Sequence, residues 1–215
     1  MICTISDWYK TPAIPFNQFS NQTTFDEFGI EYRFNSYGYR TQEFTQLTPN
    51  SYILTCGCSL TEGIALEINQ TWVSKLENHL GLPSINLAKG GSNSDFVAQN
   101  LLNWLQSSMP APNVIVVQWP NPYRFINWDS NCAEFVFNQS DHDLYKYILK
   151  HYEFNFWHNW VKNIIWLNKS TNVPIINLAF EFINNIPVEI LDLLDEQQVK
   201  VHFDEKKPGS TWHFD

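Results

Sequence analysis

A serine follows directly after an apolar, β-prone segment of the chain. Residues 51–56 read Ser-Tyr-Ile-Leu-Thr-Cys, and Gly57, Cys58 and Ser59 come next. A buried parallel strand that ends in this way presents its serine at the carboxyl edge of the sheet, where α/β proteins place their ligands. A hydroxyl at a sharp turn can act as a nucleophile when nearby N–H groups hold the developing oxyanion. The alternative is an ordinary serine that caps the next helix.

Two later segments carry groups that suit an oxyanion. Residues 86–93 follow a predicted strand and contain Gly90 and Gly91, where the backbone can approach a ligand closely and donate an amide hydrogen. Asn121 follows a buried run of Val and Ile, and its side-chain amide is a further donor. The alternatives are a plain turn at Gly91 and a proline-rich turn shaped by Asn121. We expect Arg124 to form a structural ion pair, the alternative being a contact with a substrate carboxylate or phosphate.

These segments, together with one near the C-terminus, resemble the SGNH/GDSL family of serine esterases and acyl hydrolases in order and spacing. The family's first block reads Gly-Asp-Ser-Leu, and Cys58 stands here in place of the acid. Its third block reads Gly-x-Asn-Asp, of which this chain keeps Asn121 alone. The resemblance implies that Ser59 is the nucleophile. It also implies that the N–H groups of Ser59 and Gly91 and the amide of Asn121 hold the oxyanion.

The fourth block departs from the family at a position that the chemistry needs. The family carries Asp-x-x-His-Pro, in which the histidine is the base and the aspartate orients it. Here Asp204 and Pro208 match, but Lys207 occupies the histidine position. Lys207 would need a pKa lowered by about 3 units to act as a base at neutral pH, and the nearby carboxylate raises it. His213 is therefore the default base, although it matches a second, usually structural histidine of the family, and His202 is a further alternative.

The resemblance implies a hydrolase acting on a small acyl ester, such as an O-acetylated carbohydrate, with no metal or organic cofactor. The aromatic segment 119–137 is expected to line the pocket, because Trp and Tyr stack well on sugar rings. The alternative, favoured by Lys207, is a carbohydrate-binding or virion structural module that keeps the pocket and has lost the base. The motif context, including residues 33–40, resembles uncharacterised SGNH proteins of phage and marine bacterial genomes.

Charge and hydropathy exclude several other function classes. The net charge is −9, with 13 Lys and Arg and no basic cluster, which argues against nucleic acid or an anionic membrane as a partner. No apolar run approaches the roughly 20 residues of a membrane span. Residues 1–7 lack the pattern of a signal peptide, so we expect a cytoplasmic protein, with a virion-associated role left open. The sequence does not define an oligomeric state.

The cysteines indicate a reducing environment. Cys56 and Cys58 flank one glycine and are too close for an unstrained bridge, while Cys3 and Cys132 are isolated. We therefore expect all four to be free thiols. No Cys and His spacing fits a structural zinc site.

Hydrophobic periodicity gives the fold class. The chain of 215 residues suits one α/β domain over residues 51–215, preceded by an arm over 1–50 with a strand from Glu31 and a turn at 36–38. Strands are predicted at 52–56, 84–87, 113–118, 173–179 and 199–203. Helices are predicted at 70–80, 94–106 and 141–168, the last with a break near His151. This alternation predicts a three-layer α/β/α sandwich with a central parallel sheet of about five strands, flavodoxin-like and of the SGNH hydrolase type.

Overall fold

Nine strands, five of which form a central parallel sheet, are present in the part of the chain that the structure describes. The structure is a computed structural model, and it describes residues 12–45, 47–124, 126–128, 134–136, 142–180, 186–197 and 199–204. The strands are β1 (Thr23–Phe25), β2 (Glu31–Arg33), β3 (Ile53–Cys56), β4 (Ser84–Asn86), β5 (Val114–Trp119), β6 (Ile126–Trp128), β7 (Glu134–Val136), β8 (Ile175–Phe180) and β9 (Val201–Asp204).

The central sheet has the order β4-β3-β5-β8-β9, and every neighbouring pair is parallel. In the register, Leu54 of β3 lies opposite Ile85 on one side and Ile115 on the other. Numbered along the chain, the five strands follow the order 2-1-3-4-5, which is the flavodoxin-like order. The predicted fold class is therefore confirmed. In this order the chain changes direction between β3 and β5, and ligands of such sheets bind at that crevice.

Five α-helices of the described residues connect and cover these strands. They are α1 (Ser59–Glu62), α2 (Trp72–Leu80), α3 (Ser94–Gln106), α4 (His142–Lys169) and α5 (Val188–Glu196). Right-handed crossovers place α2 on one face of the sheet and α3, α4 and α5 on the other. In agreement, α3 packs against α4, and α4 packs against α5. None of the described helices combines the length and the apolar character that crossing a membrane requires.

Local signals set the helix boundaries that the sequence predicted. The Thr71 hydroxyl accepts a hydrogen bond from Ser74 N (3.1 Å) at the start of α2, and Gly81 ends this helix in the left-handed conformation. Asn93 caps α3 through a bond from Phe96 N (2.9 Å). The predicted strands and helices agree with the observed ones to within two residues at each end.

Two features differ from the sequence prediction. Helix α4 runs without interruption through His151, so the predicted break is wrong; its sequence contains no Gly or Pro that would interrupt its hydrogen bonds. Strand β1, helix α5 and the antiparallel pair β6–β7 were not predicted. The β6–β7 pair lies within the long aromatic segment that follows β5.

The N-terminal residues 12–45 contact the central domain through a buried polar and aromatic cluster. The Tyr39 hydroxyl donates to Ile14 O (2.7 Å) and accepts from Asn100 Nδ2 of α3 (2.8 Å). The Phe16 ring lies 5.7 Å from the Phe96 ring, also on α3. Gly38 has φ +80° in the turn predicted at 36–38, and a Cβ at this position would collide with the Phe16 backbone. A glycine is therefore required for this close approach.

Candidate active site

Ser59 begins α1, directly beyond the carboxyl end of β3. The intervening Gly57 packs so closely that an added Cβ would collide with Thr61 Oγ1 and lie 2.9 Å from Gln118 O. The tight turn therefore needs glycine, and it leaves Ser59 half-buried at the edge of the sheet. As the first residue of a helix, Ser59 has a backbone N–H with no acceptor in its own helix, and that N–H donates to no described group.

Gln118 connects this turn to the neighbouring strand β5. Its buried side-chain oxygen accepts hydrogen bonds from Thr61 Oγ1 (3.1 Å), Cys58 Sγ (3.3 Å) and Cys58 N (3.5 Å). Its Nε2 donates to Trp119 O (3.0 Å). The thiol of Cys58 thus donates to β5 at the position where the family has an acid. This network fixes the start of α1 relative to the end of β5.

Both cysteines of this turn are buried free thiols. Cys56 Sγ lies 3.3 Å from Leu87 O, and burial raises the pKa of the Cys56 thiol well above its ordinary range. Cys3 and Cys132 lie outside the described residues, so the expectation for them stays a prediction. The described residues contain no group of three His, Cys, Asp or Glu side chains that could hold a metal ion.

Gly91 lies in the loop after β4 and has φ +82°. A Cβ added here would meet no atom within 4 Å. Its N–H donates to no described group. A buried ion pair holds this loop against α1. Glu62, 4% exposed, accepts from Gly90 N (2.5 Å), and its other oxygen pairs with Lys89 Nζ at 2.9 Å. In addition, Lys89 N donates to Gly57 O (3.4 Å). An ion pair and a backbone hydrogen bond therefore hold this loop against the turn that carries Ser59.

Three aromatic rings of the N-terminal residues surround the same ammonium group. Lys89 Nζ lies 4.1 Å from the ring centroid of Phe19, 4.8 Å from Phe34 and 5.4 Å from Phe16. Cation–π contacts of this kind stabilise a desolvated ammonium. This arrangement could not be predicted from the sequence, because no local spacing relates Lys89 to phenylalanines more than 50 residues away.

Asn121 lies two residues beyond β5, with its side chain held by the local backbone. Its Oδ1 accepts from Tyr123 N (2.8 Å), and its backbone oxygen accepts from Arg124 N (3.0 Å). The turn thus occupies the oxygen of the side-chain amide. The Nδ2 group donates to no described residue, so its hydrogens are available to a ligand. Asn86, in contrast, uses its side chain internally: Nδ2 donates to Thr61 O (2.7 Å), and Oδ1 accepts from Ala88 N (3.1 Å).

The sheet brings three of the predicted site residues to one edge. Ser59, Gly91 and Asn121 follow β3, β4 and β5, which are adjacent and parallel. Asp204 ends β9, two strands further from β3 than β5, and its side chain is not described. His202 is an exposed residue of the same strand.

The remaining residues of the fourth block, Lys207, Pro208 and His213, lie outside the described residues. Their roles stay predictions. In the described residues Arg124 forms no ion pair, so the structural pair expected for it is not found.

The chain is similar in structure to several solved proteins, two of which are esterases. For AlinE4, an SGNH-hydrolase family esterase, the identity is 17%, the match covers 73% of this chain and 77% of that chain, and the TM-score is 0.44. For TesA the identity is 13%, the match covers 70% of this chain and 76% of that chain, and the TM-score is 0.42. For the acetyl xylan esterase Est2A of the rumen bacterium Butyrivibrio proteoclasticus the identity is 14%. The match covers 74% of this chain and 56% of that chain, and the TM-score is 0.42. No protein-family model matches the chain, and no curated protein matches it by sequence.

A cavity of about 440 Å³ lies beside the loop that carries Gly91. Its wall includes Glu62, Lys89 and Gly90 from the site, and aromatic residues from the region of β1 and β2, namely Phe25, Phe28, Tyr32 and Phe34. The aromatic wall at this point thus comes from the N-terminal residues. The side chains of residues 126–128 and 134–136, within the predicted aromatic lining, are not described.

We expect the Glu62–Lys89 pair to contribute strongly to stability. Glu62→Gln keeps an acceptor for Gly90 N but leaves the enclosed Lys89 ammonium without a countercharge, which is expected to lower the free energy of unfolding by about 2–4 kcal/mol. Urea denaturation measures this change. Glu31→Gln is the matched control, because it removes an ion pair with the exposed Arg33 and should barely move the midpoint. Equal effects of the two substitutions would contradict the assigned role.

Proposed function

We propose that the chain is an SGNH-type serine ester hydrolase with its site at the carboxyl ends of β3, β4 and β5. The observation that carries the proposal is the arrangement at this edge. A half-buried serine hydroxyl begins α1, and N–H groups without described acceptors lie at Ser59, Gly91 and Asn121. Three donors from three adjacent strand ends suit a tetrahedral oxyanion, which develops next to the attacked carbonyl carbon.

In the proposed reaction, Ser59 Oγ attacks the acyl carbonyl and its proton passes to a histidine. His213 is the default base, and Asp204 orients it. The N–H groups of Ser59 and Gly91 and the amide of Asn121 hold the negative oxygen. The alcohol leaves with the proton from the imidazole, and water then hydrolyses the acyl-enzyme by the same route in reverse. The reaction requires neither a metal ion nor an organic cofactor.

The proposed substrate is a small acyl ester, such as an O-acetylated carbohydrate. Aromatic rings beside the loop of Gly91 support a sugar or another flat group at this edge, since rings of this kind stack on sugar faces. We also propose that the chain acts without a nucleic acid or membrane partner, in the cytoplasm or in a virion.

Hydrolysis of p-nitrophenyl acetate by the full chain tests the proposal. We expect saturable turnover above the rate in buffer. Absence of turnover of any simple ester, together with binding of a glycan to the same chain, would contradict a hydrolase. It would favour instead a recognition module that has lost its base.

A further inference from the structure

Four buried side-chain polar atoms of the described residues lack a hydrogen-bond partner, and all four are N–H donors. They are Trp72 Nε1, Asn93 Nδ2, Arg124 Nη1 and Trp157 Nε1. Folded proteins pair nearly all such groups, because a buried donor without an acceptor loses its hydration and gains nothing in return. Since every unmatched group here is a donor, the missing partner is an acceptor.

Three of these donors lie around the proposed site. Arg124 belongs to the turn of Asn121, because its backbone N–H donates to Asn121 O (3.0 Å). Trp157, fully buried, packs its ring 5.9 Å from that of Tyr123 in the same turn. Asn93, also fully buried, comes two residues after Gly91. The unmatched donors are therefore concentrated beside the proposed oxyanion groups.

Helix α4 brings the two halves of this region together. Trp160 Nε1 donates to Pro120 O (3.0 Å), next to Asn121. One turn further along α4, Asn163 Nδ2 donates to Ser94 Oγ (3.2 Å), next to Asn93. The turn after β5 and the start of α3 thus pack against one face of the same helix.

Arg124 is the charged member of this group, and its buried Nη1 has no hydrogen-bond partner among the described residues. The sequence has 22 acidic residues against 13 Lys and Arg, so carboxylates are in excess. The guanidinium of the buried Arg40, in contrast, donates to the backbone oxygens of Gly63, Glu31 and Leu66 at 2.6–2.9 Å. A guanidinium with a buried, unmatched N–H is expensive to maintain unless a ligand completes it.

We propose that Arg124 binds an anionic group, a carboxylate or a group of similar chemistry, on the ester that reacts at Ser59. The inference rests on the proposed function and names the class of its substrate. The planar fork of a guanidinium matches the two oxygens of a carboxylate, and such charge-assisted bonds are stronger than neutral ones. The backbone N–H of Arg124 donates to Asn121 O, and in this proposal its guanidinium binds the charged group of the ester and determines specificity.

Two pairs of esters test this inference and distinguish the side of the ester that carries the charge. Mono-p-nitrophenyl succinate is compared with p-nitrophenyl butyrate for the acyl side, and 4-acetoxybenzoate with its methyl ester for the alcohol side. We expect the parent to prefer the anionic member of one pair. Arg124→Gln should lower kcat/KM for that anionic ester by about 10- to 100-fold and change the neutral ester by less than twofold. Arg124→Lys should fall between the parent and Arg124→Gln.

Lys162→Gln is the matched control for the general electrostatic field. Lys162 is an exposed cation on α4 whose Nζ donates to Asn159 Oδ1 (2.6 Å), and its loss changes the net charge by the same amount. We expect this variant to leave both esters within twofold of the parent. Equal losses in Lys162→Gln and Arg124→Gln, or equal losses for anionic and neutral esters, would overturn the inference.

Binding without turnover separates this inference from the proposed function. The amide 4-acetamidobenzoate and its neutral counterpart 4-acetamidobenzamide are titrated into the full chain, and the intrinsic tryptophan fluorescence is followed. Binding of the carboxylate that Arg124→Gln abolishes supports the anion site even if no ester is hydrolysed. Ester hydrolysis with no difference between the two probes, and no anionic preference, rejects the anion site and leaves the hydrolase in place.

Discussion

Ser59→Ala is expected to lower kcat/KM for p-nitrophenyl acetate by at least about 10³-fold. The substitution removes the attacking oxygen and leaves the oxyanion donors and the substrate contacts, which alone retain a small part of the rate. Ser59 makes no side-chain hydrogen bond to a described residue, so the fold should tolerate the change. Steady-state kinetics on purified parent and variant measure the loss.

Ser74→Ala provides the matched control for this substitution. Ser74 lies in the first turn of α2 and is not one of the proposed site residues, and its replacement should change kcat/KM by less than twofold. The urea midpoints of both variants should stay close to that of the parent. A Ser59→Ala protein that hydrolyses the ester as fast as the parent would place the reaction elsewhere on the chain.

If His213 does not serve as the base, Lys207→His is expected to raise the rate of aryl acetate hydrolysis by at least about 100-fold. The substitution restores Asp-x-x-His-Pro in the register of the family, with Asp204 able to hold the imidazole in the required tautomer. A factor of about 100 is the low end of what a positioned general base contributes. The measurement compares kcat/KM of the variant with that of the parent.

His213→Ala decides between the two positions for the base. If the parent is already efficient and His213→Ala abolishes its activity, His213 is the base and Lys207 has another task. If Lys207→His gains activity that His213→Ala does not remove, the base belongs at position 207. Lys207→Gln is the control, because it removes the lysine without supplying an imidazole and should gain nothing.

The sheet and most helices could be predicted because each depends on local signals. Residues 114–117 of β5 are apolar and β-branched, as in buried parallel strands. Helix α3 was predicted without error because Asn93 supplies a cap and its apolar residues repeat with helical spacing. The predicted break in α4 had no such local cause. Helix α5 lies between two predicted strands and was missed, and no side-chain cap marks its start.

The positions of Ser59, Gly91 and Asn121 at one edge could be expected from the sequence, because each follows a different parallel strand. The contacts that hold these residues in place could not be predicted from the sequence. Gln118 binds Cys58 across 60 residues of sequence, and Lys89 meets Glu62 across 27. Such pairs are formed by the packing of distant elements, and no local periodicity or spacing specifies them. That Arg124 Nη1 has no hydrogen-bond partner in the described part of the chain can be recognised only from the three-dimensional structure.

Reaction of the native chain with an aryl fluorophosphonate tests the central claim most directly. This reagent phosphonylates a serine only where a base and oxyanion donors activate it. The account predicts one phosphonyl group per chain, found by peptide mass spectrometry on Ser59 and absent from chain denatured in urea before treatment. A native chain that remains unmodified, or carries the group on another residue, would contradict an activated nucleophile at the end of β3.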